Sequence, residues 1–124
     1  MYAIYPKDAP ETFIGYMGLS YRPNEKWYEA EGYIARAYRR KGYGSQALGA
    51  VCNSAFGGEL RGRWRRKIRK IHVTVLEENA EAIRLLESCG FVKNQNVALL
   101  MQLFEDPADG RVIANRVVQY SLSQ

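Results

Sequence analysis

The stretch RRKGYGSQAL, residues 39–48, carries the strongest structural pattern in the chain. Three cations precede two glycines, and apolar residues then recur at helical spacing as far as Phe56. Gly42 and Gly44 allow the backbone to turn its N–H groups inward, and the first amides of a helix have no acceptor within the helix. Free amides and the positive end of a helix dipole bind anions. The stretch therefore predicts an anion site, and its geometry suits a pyrophosphate.

Two common phosphate-binding loops do not fit this stretch. The P-loop pattern G-x-x-x-x-G-K-[ST] is absent from the chain. GYGSQA matches the dinucleotide pattern G-x-G-x-x-A, but that pattern follows directly on an apolar strand and needs an acidic residue about 20 positions later. Here the polar stretch ARAYRRK comes first, and arginines occupy the later region. The remaining alternative to an anion site is a plain surface loop before a helix.

The pattern of the whole chain predicts one α+β domain, residues 1–124. Strands are expected at residues 2–5, 12–21, 27–35, 70–76, 97–105 and 111–123. The second and third should form a hairpin, and the turn DPADG should join the last two. Gly32 interrupts the third strand and indicates a bulge or a close backbone approach. The order β-β-β-α-β-α-β-β favours a mostly antiparallel sheet with two main helices from the middle of the chain.

The second helix has clear signals at both ends. Asn79 is a good N-cap, and the helix is expected to run to about Cys89. Gly90 then stands where a left-handed residue ends a helix, and Phe91 should pack back on Leu86.

Composition limits the classes of protein to consider. The 124 residues are 47% hydrophobic and 25% charged, which is ordinary for a soluble globular protein. No apolar run approaches the ~18 residues of a membrane span, and the first residues lack the pattern of a signal peptide. Cys52 and Cys89 lack metal-ligand spacing, so we expect no metal site and reduced thiols in a cytoplasmic protein. The net charge of +5 is local, because residues 61–70 (RGRWRRKIRK) carry seven cations and no acid.

Two motifs resemble those of the GNAT acetyltransferase superfamily. RRKGYG is similar to its acyl-CoA loop R/Q-x-x-G-x-G/A, with Arg39, Gly42 and Gly44 in register. ENAEAIRLLESCGFVK is similar to its N-x-x-A/S-x-x-L…G-F helix, which begins at Asn79 here. The tail DGRVIANRVVQYSL resembles the closing strands of the branch that acetylates ribosomal-protein N-termini and related amines. Two motifs in the right order are more specific than either alone.

The resemblance implies a GNAT-like sheet with a central splay and acetyl-CoA (coenzyme A) as the cofactor. The backbone of three residues at the end of the third strand would pair with the pantetheine amides: Ile34, Ala35 and Arg36. The loop would hold the pyrophosphate through Arg39, Arg40, Lys41, Gly42, Tyr43, Gly44 and Ser45. Asn79 would reach the pantetheine, although an N-cap asparagine needs no ligand to explain it.

The implied reaction is attack of a primary amine, on a small molecule or at a protein N-terminus, on the acetyl thioester. Glu29 and Glu31 share a strand face with Tyr33 and are the candidates for the base, with solvated strand carboxylates as the alternative. Leu86 stands where many family members have a catalytic tyrosine, which members of the N-terminal-acetylating branch often lack as well. Tyr120 and Ser88 are the candidate substitutes for the acid.

The chain also departs from the family pattern. Only eleven residues precede the second strand, where the family usually has a strand and two helices that build the acceptor pocket. The domain is therefore expected to be shortened at its N-terminus. The acceptor site is then open to a large substrate, completed by a second subunit, or without transfer activity, and the uncovered face favours a homodimer. The rival hypothesis is a non-catalytic GNAT-like module that binds CoA, or that binds RNA or protein through the stretch from Arg61 to Lys70; Trp64 could stack on a base there. A solvated linker is the simplest interpretation of that stretch.

Overall fold

The computed structural model describes residues 1–58, 68–95, 100–105 and 107–124. The strands in these ranges are β1 (Tyr2–Ile4), β2 (Gly15–Arg22), β3 (Trp27–Ile34), β4 (Lys70–Leu76), β5 (Val92–Lys93), β6 (Leu100–Glu105) and β7 (Val112–Ser123). The helices are α1 (Tyr43–Phe56) and α2 (Ala80–Ser88), with a 3₁₀ turn at Arg36–Tyr38. All predicted elements are present with small shifts at their ends within the described residues, and positions 97–99 of the strand predicted at 97–105 lie outside them. The sequence did not predict β5, because two residues are too few to show a period.

The seven described strands form one mixed sheet in the order β1-β2-β3-β4-β7, and both β5 and β6 pair with the far side of β7. Every pairing is antiparallel except that of β3 with β4, which is parallel. The prediction of a mostly antiparallel sheet with two helices from the middle of the chain is confirmed.

The parallel pair β3–β4 is unusually short. The two strands are paired only at Tyr28 with Ile71 and at Glu29 with His72. By contrast, β2 and β3 pair along eight consecutive residues. Beyond Glu29 and His72 the two strands separate, and we call this point the fork. The gap between residues 30–34 of β3 and residues 73–76 of β4 is the cleft, which matches the expected central splay.

Helices α1 and α2 cover one face of the sheet and form the core with it. Ile71 at the centre of the sheet is fully buried, and Leu48 and Cys52 from α1 are nearly so. The two helices touch at Gly44, where an added Cβ would lie 2.6 Å from Cδ1 of Leu85. A side chain at position 44 would therefore require the end of the Leu85 side chain to move.

The C-terminal end of α2 has the predicted Schellman arrangement. The Gly90 N–H donates to the Glu87 carbonyl at 3.1 Å, and the Phe91 N–H donates to the Leu86 carbonyl at 3.0 Å. Gly90 has φ +88°, and Phe91 is buried in the core beside Leu86. The glycine is thus required by its backbone conformation.

Gly90→Ala should lower the free energy of unfolding by about 1–2 kcal/mol, because an L residue is strained in the left-handed region. Its new Cβ would make only an ordinary contact, 3.6 Å from Leu122 Cδ1. The matched control is Gly49→Ala inside α1, where a Cβ meets nothing within 4 Å. The control should raise stability by about 0.5–1 kcal/mol. Urea unfolding measures both, and shifts of the same sign in the two variants would contradict this account.

His72 lies on the sheet face opposite the helices. Its ring packs against Trp27, with centroids 4.9 Å apart, and its Nδ1 is buried with no hydrogen-bond partner among the described residues. Burial, and secondarily the charge of Lys70, lower the pKa of His72 from its usual 6.5. The folded protein therefore favours the neutral imidazole.

The lowered pKa of His72 predicts a loss of stability in acid. The unfolded chain binds the proton more tightly than the folded protein, so stability falls as the pH drops through 6.5. His72 is the only histidine in the chain, so His72→Gln isolates its effect. Urea unfolding at about pH 7.5 and about pH 5 should show a smaller acid loss in the variant than in the wild type. Equal losses would mean that His72 does not titrate differently on folding.

Candidate acyl-CoA cleft

The cleft opens into a cavity of about 710 Å³ between the separated strands and the two helices. Its walls are largely apolar: Ala30 and Ile34 come from β3, Val73 and Val75 from β4, and Leu48 from α1. Polar groups gather where the loop before α1 meets the first turn of α2. A cavity of this size with apolar walls and a polar mouth is typical of a cofactor or ligand site.

The loop before α1 presents its backbone amides at this mouth. The Gln46 N–H donates to the Gly42 carbonyl at 3.0 Å and starts the helical ladder, so the N–H groups of residues 42–45 precede it. Arg40 and Gly42 both have positive φ, 61° and 88°. Left-handed residues in such an alternation turn neighbouring N–H groups to one side and form an anion-binding nest. Gly42, Gly44 and Ser45 line the cavity, as does Arg40.

Arg39 also lines the cavity, but its side chain turns back towards β3. Its Nε donates to the Ile34 carbonyl at 2.7 Å, and its guanidinium lies 5.2 Å from the centre of the Tyr33 ring. Arg39 therefore ties the loop to the end of β3 and still brings positive charge to the cavity.

The other loop cations have weaker ties. Arg40 Nε lies 3.5 Å from Oε1 of Glu81 in the first turn of α2, and both side chains are well exposed. An exposed pair of this kind contributes little and can open for a ligand. Lys41 stands 5.7 Å over the Tyr38 ring, and Tyr38 itself lines the cavity. Lys41 and Tyr43 are outside the cavity lining.

Asn79 has the position that the sequence predicted. Its Oδ1 accepts from the Ala82 N–H at 3.2 Å, which is the N-cap bond, and the residue also lines the cavity. The amide nitrogen of the same side chain is left for a ligand, so the capping role and a binding role are compatible.

The backbone groups predicted to pair with pantetheine need a correction. The Ala35 N–H donates to the Ile14 carbonyl at 2.7 Å, and the Ile34 carbonyl is occupied by Arg39. Arg36 has left the strand for the 3₁₀ turn. A strand directs its backbone groups alternately to its two sides, and the Ala35 bond to Ile14 points away from the cleft. The groups that face the cleft therefore belong to Gly32 and Ile34.

The three candidate catalytic residues lie in three different environments. Glu31 is exposed and lines the cavity. Glu29 has a side chain that is only 14% exposed, and it binds Arg22 and Thr74. Tyr120 is 6% exposed in the core, and burial followed by the charge of Glu87 raises its pKa. The structure brings only Glu31 to the cavity.

Several cavity residues carried no sequence pattern. Tyr33, Tyr38, Val73, Val75, Glu81 and Arg84 line it, and only the fold brings them together with Leu85 of the α2 motif. Ser88 also lines it, but its hydroxyl donates to the Leu85 carbonyl at 2.6 Å. Cys52 is a core residue, and burial followed by Cys89 raises its pKa to about 12. Residues 61–67 of the basic stretch, including Trp64, lie outside the described residues.

The described helices include none that is both long and apolar enough to cross a membrane. None of the curated protein sequences compared with the chain matches it.

Solved structures share the fold. A chimera of the spermidine N-acetyltransferase SpeG from Vibrio cholerae with hSSAT aligns with TM-score 0.70 and 22% identity, over 98% of this chain and 67% of that one. A ribosomal-protein-alanine N-acetyltransferase from Brucella melitensis gives 0.69 and 21%, over 98% and 67%. A Salmonella typhimurium protein described as an acetyltransferase, with its cofactor acetyl-CoA, gives 0.65 and 20%, over 93% and 60%.

The chain spans 57–60% of the length of three of the matched acetyltransferase structures. The sequence model of the acetyltransferase (GNAT) domain matches residues 1–92 of the 124. This match covers the fork, the amide nest and α2, and it confirms the resemblance seen in the sequence. The chain belongs to the GNAT acetyltransferase domain family.

Proposed function

We propose that this chain is an acetyl-CoA-dependent N-acetyltransferase that acts on a primary amine, with residues 1–124 as one catalytic domain. The observation that carries the proposal is the cleft between β3 and β4 with the amide nest at its mouth. The residues present fit the cofactor, because the nest offers unpaired N–H groups to a diphosphate and the apolar walls suit a pantetheine arm. The cofactor supplies an activated acyl group, and the chain supplies the groups that position it.

The binding groups divide by chemistry. The nest amides of residues 42–45 and the charges of Arg39, Arg40 and Lys41 attract the diphosphate, with hydrogen bonds of about 1.5–3 kcal/mol each outweighing a dipole contribution of about 0.3–1 kcal/mol. The cleft-facing N–H groups of Gly32 and Ile34 would donate to carbonyl groups of the arm, the thioester carbonyl included. Asn79 offers its amide nitrogen from the opposite wall.

Glu31 is the proposed proton acceptor, because its carboxylate is exposed at the cavity. Glu29 and Tyr120, the other catalytic candidates, are engaged elsewhere. A neutral amine is required for attack, and at pH 7 a lysine amine has a deficit of roughly 4.6 kcal/mol against about 1 kcal/mol for an α-amine. An exposed carboxylate as the proton acceptor favours the less basic amine, a small low-pKa amine or a protein α-amine.

The chain is further proposed to form a homodimer and to work in the cytoplasm. Exposed Met1, Tyr2, Tyr5 and Phe13 around β1 support association of two copies of the chain. Cys52 and Cys89 are free thiols, which supports a reducing compartment such as the cytoplasm. Light scattering of the purified protein tests whether two copies associate. Nucleic acid is a partner only if the stretch from Arg61 to Lys70 retains RNA.

Gly42→Ala tests the amide nest directly. A Cβ at Gly42 would meet nothing within 4 Å, so the substitution acts only through the strained φ of +88°. We expect the dissociation constant for CoA, measured by calorimetry, to rise about ten-fold. Gly49→Ala, farther along the same helix, should leave it unchanged. Wild-type protein that gains no thermal stability with acetyl-CoA would contradict the whole proposal and favour a non-catalytic module.

Acceptor preference tests the proton balance. In a thiol-release assay at pH 7, α-amine acceptors should turn over faster than lysine side-chain amines, because more of the α-amine is neutral. The advantage should shrink as the pH rises towards the pKa of lysine, about 10.4. A preference that stays constant with pH would show that amine protonation does not limit the reaction. Binding of acetyl-CoA without thiol release from any amine would indicate the non-catalytic alternative.

A further inference from the structure

Glu29 lies at the fork, on the sheet face opposite the helices, and holds three strands together. Its Oε2 is 2.9 Å from Nη2 of Arg22 at the end of β2. Its Oε1 accepts a hydrogen bond of 3.0 Å from Oγ1 of Thr74 in β4. Glu29 itself belongs to the last paired position between β3 and β4, where it stands opposite His72. One carboxylate therefore joins β2, β3 and β4 where the cleft begins.

The bond to Thr74 crosses the gap just beyond the last backbone pair. If the register continued, Thr74 would stand opposite Glu31, but the strands have already separated there. Thr74 instead reaches back to Glu29. This side-chain bond connects β3 and β4 just beyond their last backbone pair. It therefore restrains the fork from widening back along the paired part of the two strands. Arg22 balances the charge and restrains the carboxylate from the other side.

These contacts leave Glu29 poorly suited to take a proton from a substrate. Both of its oxygens are engaged, its side chain is only 14% exposed, and it is not among the residues that line the cavity. Glu31, two residues later on the same face, is exposed and lines the cavity. Two carboxylates that the sequence presents as equivalent thus differ in their environment.

We propose that Glu29 is a positioning residue which, with Arg22 and Thr74, fixes the fork and thereby the width of the cleft that receives the acyl-CoA arm. This inference rests on the proposed function for its consequence in catalysis, but the fork itself can be tested without it. The proposal divides the two glutamates by role: Glu29 sets the geometry, and Glu31 faces the acceptor.

The test compares Glu29→Gln, Thr74→Val and the double variant. Thr74→Val removes the hydroxyl while keeping a branched side chain, and it alters no titratable group. Each single variant should weaken CoA binding by about ten-fold in calorimetry, which is the loss of one hydrogen bond to a charged group. The double variant should be no weaker than the worse single variant, because both substitutions act on the same Glu29–Thr74 interaction: one removes the donor hydroxyl and the other removes the charge of the acceptor. Fully additive losses would overturn the proposal.

The pH profile separates positioning from proton transfer. Glu29→Gln and Thr74→Val should lower kcat/KM without changing the shape of its pH dependence, whereas Glu31→Gln should change that shape. A changed profile in Glu29→Gln together with an unchanged Thr74→Val would make Glu29 the base and overturn the proposal.

Hydrogen exchange gives a readout that does not depend on activity. Backbone amides next to the fork, at Ile71 to Val73, should exchange about ten-fold faster in both single variants. Thr12→Val, the same substitution in the loop before β2, should leave them unchanged. If the wild type binds no CoA but the fork amides respond as expected, the proposed function fails and the fork inference stands. Unchanged amide exchange in Thr74→Val overturns the inference whatever the wild type binds.

Discussion

The parallel contact between β3 and β4 stops after two residue pairs, and the rest of the site depends on that early stop. Had the pairing continued, residues 30–34 and 73–76 would satisfy one another's backbone groups and leave no gap in the sheet. Because it stops, β3 keeps one edge bonded to β2 and turns the other towards an open cleft. After this separation β3 ends at Ile34 and leads into the loop that precedes α1. The cleft and the amide nest therefore both depend on the early end of the β3–β4 pairing.

The three cations of the loop each contact another part of the protein. Arg39 is bonded to the Ile34 carbonyl, Arg40 pairs with Glu81, and Lys41 stands over the Tyr38 ring. The backbone N–H groups at the start of α1 have no hydrogen-bond acceptor within the helix. A fixed set of dipoles gives direction as well as attraction, whereas flexible side chains mainly draw the anion in. The two left-handed residues in the loop are therefore as important as its cations.

Local patterns in the sequence predicted much of this protein, and they failed where the answer depended on distant strands. The cap at Asn79 and the left-handed Gly90 follow from local backbone chemistry, so sequence sufficed for them. Tyr120 was a catalytic candidate on its residue type, yet β7 places it in the core, and alternation along a strand does not say which face is buried. Glu29 and Glu31 look alike in sequence, and only the contact with Thr74, which lies far along the chain, distinguishes them. β5 was too short to show any period.

The close approach of Gly44 to Leu85 links the two motifs of the chain in a way that neither motif reveals by itself. The Leu85 side chain occupies the space that is left because Gly44 has no side chain. Ser45 adds a contact of 3.3 Å to Ser88, so the start of one helix rests on the end of the other. A larger residue at position 44 requires the Leu85 side chain either to move or to be replaced by a smaller one. In related sequences these two sites should therefore vary together, as a correlated pair rather than as independent signatures.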